Sequence, residues 1–166
     1  NTRLVVFWTK NPRPMFKHLD YLDKNIPNYY FQFSLNDYDK EKYEAKVPSV
    51  ESRIKTFKEL SQRLGKKRVV WRYDPLILTK DIDVNELLKR VKNIGDQIHE
   101  FTEKLVFSFV DIDIYKKVEN NLKKEDVPYI EWNETSMDEF AQGISQINKN
   151  WGLQLGTCSE KIDLDK

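Results

Sequence analysis

Five short apolar runs in this chain each end in a polar cluster: Thr9-Lys10-Asn11, Gln32 to Asn36, Arg72-Tyr73-Asp74, Ser108 to Asp111, and Cys158-Ser159-Glu160. Amphipathic segments lie between them, so the pattern predicts repeated strand and helix in an α/β fold. A parallel sheet of this kind gathers its chemistry where the strands end and the following loops converge. Right-handed crossovers would make the strands parallel, giving a partial (β/α) barrel or a curved open sheet of about five strands with outer helices. A complete eight-stranded barrel does not fit into 166 residues.

The individual elements have readable starts and stops. Leu4 to Trp8 is a continuous apolar strand, and Asn11-Pro12-Arg13-Pro14 forces a turn before a short helix carrying Met15, Leu19 and Leu22. Tyr29 to Leu35 is aromatic-rich and extended, with Gln32, Ser34 and Asn36 sharing one side by their period of two. Ser49 caps a helix with the stripe Val50, Ile54, Phe57, Leu60 and Leu64, which Gly65 terminates. Lys67 to Tyr73 is the third strand, and Asp83 with Glu86 reads as a capping box before Leu87, Val91, Ile94, Ile98 and Phe101. Leu105 to Val110 is the fourth strand, and Ile114, Tyr115, Val118 and Leu122 suggest a short helix. Val127 to Ile130 reads as a small extra strand or plain extended chain. Ser136 with Glu139 reads as the cap of a last helix, with Gly152 closing it and Leu153 to Leu155 opening the fifth strand.

Composition narrows the function classes. Lys and Arg number 28 against 27 Asp and Glu, a balance without the basic surplus of a dedicated nucleic-acid reader, so nucleic acid is a minority partner and a small molecule the leading one. Cys158 is the only cysteine, which excludes an internal disulfide and fits a reducing, cytoplasmic compartment. No apolar run reaches the roughly 18 residues of a membrane span. The start, Asn1-Thr2-Arg3, has neither a methionine nor a signal peptide, as expected of a fragment. Gly65-Lys66 lacks the framework of a phosphate loop, and Gly152 and Gly156 are too isolated for a dinucleotide fingerprint.

The strand ends supply the candidate site. Arg72 can bind a carboxylate or phosphate in two-pronged fashion, and Asp74 can orient a ligand or accept a proton; the competing reading is that the two simply pair. Asp111 and Glu160 can join Asp74 as catalytic carboxylates or as ligands of a hard divalent ion, while carboxylates at such positions also cap helices. Lys10 can neutralise an anion that Asn11 orients, or be a solvated lysine before an Asn-Pro turn. Gln32, Ser34 and Asn36 offer neutral hydrogen bonds suited to a sugar, nucleoside or amino-acid group, or to solvent. Cys158 is a thiol ligand, a nucleophile or a small packed residue, and His18 and His99 lie on predicted helices away from it, which disfavours a cysteine–histidine pair. Trp8 and Trp71, embedded in apolar runs, read as core in preference to stacking platforms. Lys66-Lys67-Arg68 falls at the opposite edge and reads as solvated surface.

The segments Phe7 to Pro12, Gln32 to Asn36, Trp71 to Pro75, Ser108 to Asp111 and Cys158 to Glu160, taken in order, resemble the uncharacterised bacterial family known as domain of unknown function 1848 over nearly the whole chain. The resemblance implies a protein longer at both ends. It adds an upstream strand with an Arg-Arg-Thr-Asp type motif and a downstream cysteine cluster similar to the iron–sulfur ligands of radical S-adenosylmethionine enzymes. On that reading residues 1–166 are the central β/α segment of one longer catalytic domain, truncated at both ends, and the leading expectation is that they form the small-molecule pocket of a radical S-adenosylmethionine-like enzyme. No cofactor is expected in this segment, and an iron–sulfur cluster and S-adenosylmethionine belong to the longer protein. The residues alone leave open a metal-assisted lyase, isomerase or hydrolase, or a non-catalytic module that binds an anionic metabolite.

Overall fold

The computed structural model of the protein describes residues 4–44, 46–110 and 129–158. Its centre is a five-stranded sheet of β1 (Val5–Thr9), β2 (Tyr29–Ser34), β3 (Val69–Leu76), β5 (Lys104–Phe109) and β7 (Gln154–Thr157), in that spatial order. Every neighbouring pair is parallel. The sheet is open, and its spatial order follows chain order, so each crossover steps the same way; right-handed crossovers then put the described connecting helices on one face. β4 (Leu78–Thr79) and β6 (Tyr129–Ile130) form a separate antiparallel pair, with Leu78 opposite Ile130.

The helices begin and end for local reasons. A 3-10 turn at Arg13–His18, with proline in its first turn, leads into α1 (Leu19–Asn25). Ser49 caps α2 (Val50–Leu64) by accepting from the Ser52 N–H, and Gly65 ends it at a φ of 89°. Asp83 caps α3 (Val84–Ile98) through the Glu86 N–H, but the Glu86 carboxylate turns to Arg90 and does not complete the expected box. The last helix, α4 (Glu134–Asn148), starts earlier than Ser136 and Glu139 suggested. Asn133 is the cap, and Ser136 is its reciprocal partner at the third helical position. The Asn148 side chain then bonds both the N–H and the carbonyl of Leu153, folding the chain through Gly152 into β7. The third strand starts at Val69, two residues late, because Lys66–Arg68 wind into a 3-10 turn. The helix expected around Ile114 to Leu122 lies outside the described residues, as do Val127 and Pro128.

Alternation along the strands separates two faces. Tyr29, Phe31 and Phe33 of β2, Val69, Trp71 and Tyr73 of β3, and Leu105, Phe107 and Phe109 of β5 are all buried toward the helices. Phe33 meets Phe57 of α2 with centroids 5.4 Å apart, Trp71 meets Trp151 at 6.0 Å, and Phe107 meets Phe140 of α4 at 5.4 Å. Between them they make the core. The intervening positions, Val6, Trp8, Gln32, Ser34, Arg72, Asp74 and Ser108, form the other face, where Val6 and Trp8 are largely exposed. Trp71 is core as its apolar run predicts; Trp8, equally apolar in context, is not, because its strand parity turns it away from the helices.

Candidate functional site at the strand ends

Arg72 is the hub of the face turned away from the described helices. Its Nε and Nη2 both reach Asp74 Oδ2, at 3.3 and 2.9 Å, and its Nη1 donates to Gln32 Oε1 at 2.9 Å. Parallel pairing makes this possible, since Ser34 lies beside Arg72 in register and Gln32 and Asp74 occupy same-face positions on β2 and β3. The guanidinium carbon sits 4.3 Å from the centroid of the Trp8 indole. Burial works against the cation, but hydrogen bonds to Cys158 and Asp74 outweigh that and raise the Arg72 pKa above its usual value.

The other carboxylate oxygen of Asp74, Oδ1, accepts a short hydrogen bond from the Ser108 hydroxyl. The main chain of Asp74 is held too, with Asn36 Nδ2 donating to its carbonyl and Asn36 Oδ1 accepting from its N–H, both at 2.9 Å. The Asp74–Pro75 peptide is cis. Ser34 Oγ accepts from Trp8 Nε1 at 2.9 Å. Lys10 pairs with Glu44, whose second oxygen takes Arg53 at 3.2 Å, and Arg53 also reaches Asp39 at 3.2 Å. A cleft of about 410 Å³ opens here among Trp8, Thr9, Lys10, Ser34, Asp74 and Pro75.

The expected residues therefore divide. Lys10, Gln32, Ser34, Arg72 and Asp74 come together at the C-terminal edge of the sheet. Asn36 is fully buried and acts as the clamp on Asp74, with no face left toward a ligand. Asn11 stabilises its own turn, accepting from the Arg13 N–H at 3.2 Å. Asp111 and Glu160 lie outside the described residues. Cys158 is exposed beside Arg72, its N–H bonded to the Phe107 carbonyl.

Sequence reasoning missed Trp8 as a cleft residue, Ser108 as the partner of Asp74, and the Glu44–Arg53 support beneath Lys10. One signal was present: Arg53 and Arg90 fall on the apolar stripes of α2 and α3, where a cation is buried only with partners. Arg90 does for the loop after β2 what Arg53 does nearby, taking both oxygens of Glu41 at 2.8 and 2.9 Å and the Asp37 carbonyl at 2.8 Å. A larger cleft of about 820 Å³ lies at the opposite edge, near Lys66, His99, Glu103 and Gln154. In parallel β/α folds that edge is the packing side, and the chemistry sits at the other.

No group of three or more His, Cys, Asp or Glu side chains placed to hold a metal occurs among the described residues. No helix among them is long and apolar enough to cross a membrane.

No curated protein matches the chain. A solved structure described as a putative alpha-L-fucosidase from Bacteroides thetaiotaomicron VPI-5482 is similar over 98% of this chain, at 14% identity and a TM-score of 0.45. The chain spans 66% of that protein's length. The family model for a domain of unknown function, DUF1848, matches residues 1–166. The chain therefore belongs to the DUF1848 family.

Proposed function

We propose that this chain forms the substrate-binding wall of a β/α enzyme of the lyase, isomerase or hydrolase kind, acting on a small polar metabolite at the C-terminal edge of the sheet. One observation carries the reading: Asp74, fixed through Arg72, Ser108 and Asn36, lines an open cleft beside the exposed Trp8. A carboxylate anchored on both oxygens and through its main chain is held in one orientation before substrate arrives, which is what a positioned acid–base group requires. In this reading Asp74 accepts a proton from a substrate hydroxyl or C–H, Arg72 keeps the carboxylate in place, and Lys10 and Ser34 orient the substrate.

The iron–sulfur cluster that the family resemblance implies needs several cysteine ligands. Cys158 alone does not provide them, so no step is routed through such a group. Metal assistance would call on Asp111 and Glu160, which lie outside the described residues, beside Asp74.

The test is a screen of small metabolites by thermal shift, paired with mass spectrometry for conversion. Conversion of a stabilising compound, slowed by about 10²-fold or more in Asp74→Asn with unchanged circular dichroism, is the expected result. A converted compound whose rate is indifferent to Asp74→Asn would remove Asp74 from the chemistry, and stabilisation without conversion would leave a binding module.

A further inference from the structure

We infer that the cleft is built around a ring-stacking subsite on Trp8 and takes a neutral, polyhydroxylated ring of monosaccharide size. The inference rests on the proposed substrate site and narrows its ligand.

Trp8 is 61% exposed, yet it is oriented: Ser34 holds its indole N–H at 2.9 Å, and Arg72 lies against one ring face at 4.3 Å. An aromatic plate already fixed in place costs little further entropy on binding. The face away from Arg72 is the one left for a ligand. Because a guanidinium already draws on the ring's π density from behind, a second cation on the open face gains little and meets like charge, which disfavours ammonium-type ligands.

The surrounding charges decide against a highly charged anion as well. Lys10, Arg53 and Arg72 are matched by Glu44, Asp39 and Asp74 in direct ion pairs. An incoming phosphate would have to displace one of these carboxylates from its cation. What the cleft can still offer is spare hydrogen-bonding capacity: further lone pairs of Asp74, the Ser34 hydroxyl proton, the proton of the Thr9 hydroxyl, whose oxygen already accepts from the Asn11 N–H at 3.0 Å, and the remaining N–H groups of Lys10. Those are exchanged most evenly with substrate hydroxyls, which both donate and accept. A ring with hydroxyls at its rim and C–H groups on its face matches both the edge chemistry and the plate. At about 410 Å³ the cleft stands near the small end of the roughly 300–1,000 Å³ range of ligand pockets, suited to one ring and not to a chain of them.

The plate supplies its own readout. Of the four tryptophans, Trp71 is fully buried and Trp151 nearly so, so acrylamide quenching of fluorescence reports on Trp8 and, in part, on the half-buried Trp132, whose share is read from the Trp8→Phe variant. The probes are a set of free hexoses and pentoses, the corresponding sugar phosphates, and choline, each titrated into the intact chain. The expected result is protection of Trp8 by at least one free sugar and by no cation. Affinity measured by ligand-observed NMR should fall at least tenfold in Trp8→Ala and be kept within about threefold in Trp8→Phe, since stacking needs a ring but no specific one. Protection by sugar phosphates or choline without the free sugars would overturn the neutral-ring inference while leaving the site itself in place. Asp74-dependent conversion of some metabolite that leaves Trp8 as quenchable as before would overturn the stacking subsite and spare the proposed function. No protection by any probe and no metabolite converted would sink both.

Discussion

Removing the carboxylate of Asp74 leaves the Arg72 guanidinium, whose side chain is 5% exposed, without its charge partner. Breaking one side of a buried pair costs far more than replacing both sides, so Asp74→Ala should lose about 3 kcal/mol in urea denaturation. The double variant Arg72→Met with Asp74→Leu should recover part of that loss. A double variant less stable than Asp74→Ala would mean that Arg72 is held chiefly by Gln32, Cys158 and Trp8. The residue types at these strand ends, and their shared face, could be read from the sequence. Their pairing could not, because an Arg and an Asp two apart on a strand are equally suited to bind each other or a ligand, and only the position of Ser108 and Asn36 around them shows that the pair is fixed.

At the scale of single elements, Gly95 in α3 packs directly beneath the Trp151 ring, which a Cβ there would overlap. Alanine at an ordinary helix position gains about 1 kcal/mol over glycine. Here the overlap should reverse the sign, with Gly95→Ala losing about 1–3 kcal/mol by thermal or urea unfolding. A stabilised variant would show that Trp151 moves aside freely. The loop after β2 depends on α3 in another way. Hydrogen bonds from Arg90 hold the carboxyls of both Glu41 and Glu86 below their usual 4.5. A carboxyl depressed on folding adds stability above its unfolded value, and that contribution is lost as pH falls through the folded value. Asp37 acts the opposite way, because burial pushes its carboxyl up. Arg90→Met should therefore destabilise more at pH 6 than at pH 3, with equal losses at both counting against the ion-pair account. The caps at Ser49 and Asp83 were legible because they need only neighbours in sequence. The true cap at Asn133 competed with Ser136 and Glu139, and reciprocal bonding between Asn133 and Ser136 decided it.

Across the whole molecule, one sheet has a face packed under helices and a face that carries none among the described residues. Phe31→Ala, on the packed side at 0% exposure, should cost about 3–5 kcal/mol. Trp8→Ala, on an adjacent strand at 61% exposure, should cost under about 1 kcal/mol despite the larger side chain removed. Equal losses would mean that the face bearing Trp8 is also packed. The sequence by itself determined the alternation of strand and helix, the parallel α/β class and the edge at which polar groups collect, because periods of two and of 3.6 and the capping residues are local properties. Only the tertiary structure decided that chain order equals spatial order, that Trp8 faces the cleft while Trp71 faces the core, and that Glu44 and Arg53 stand behind Lys10. Those outcomes depend on register and crossover direction, which bring Trp8 to Ser34, 26 positions on, and Lys10 to Glu44, 34 positions on, and leave no trace in any short window of sequence.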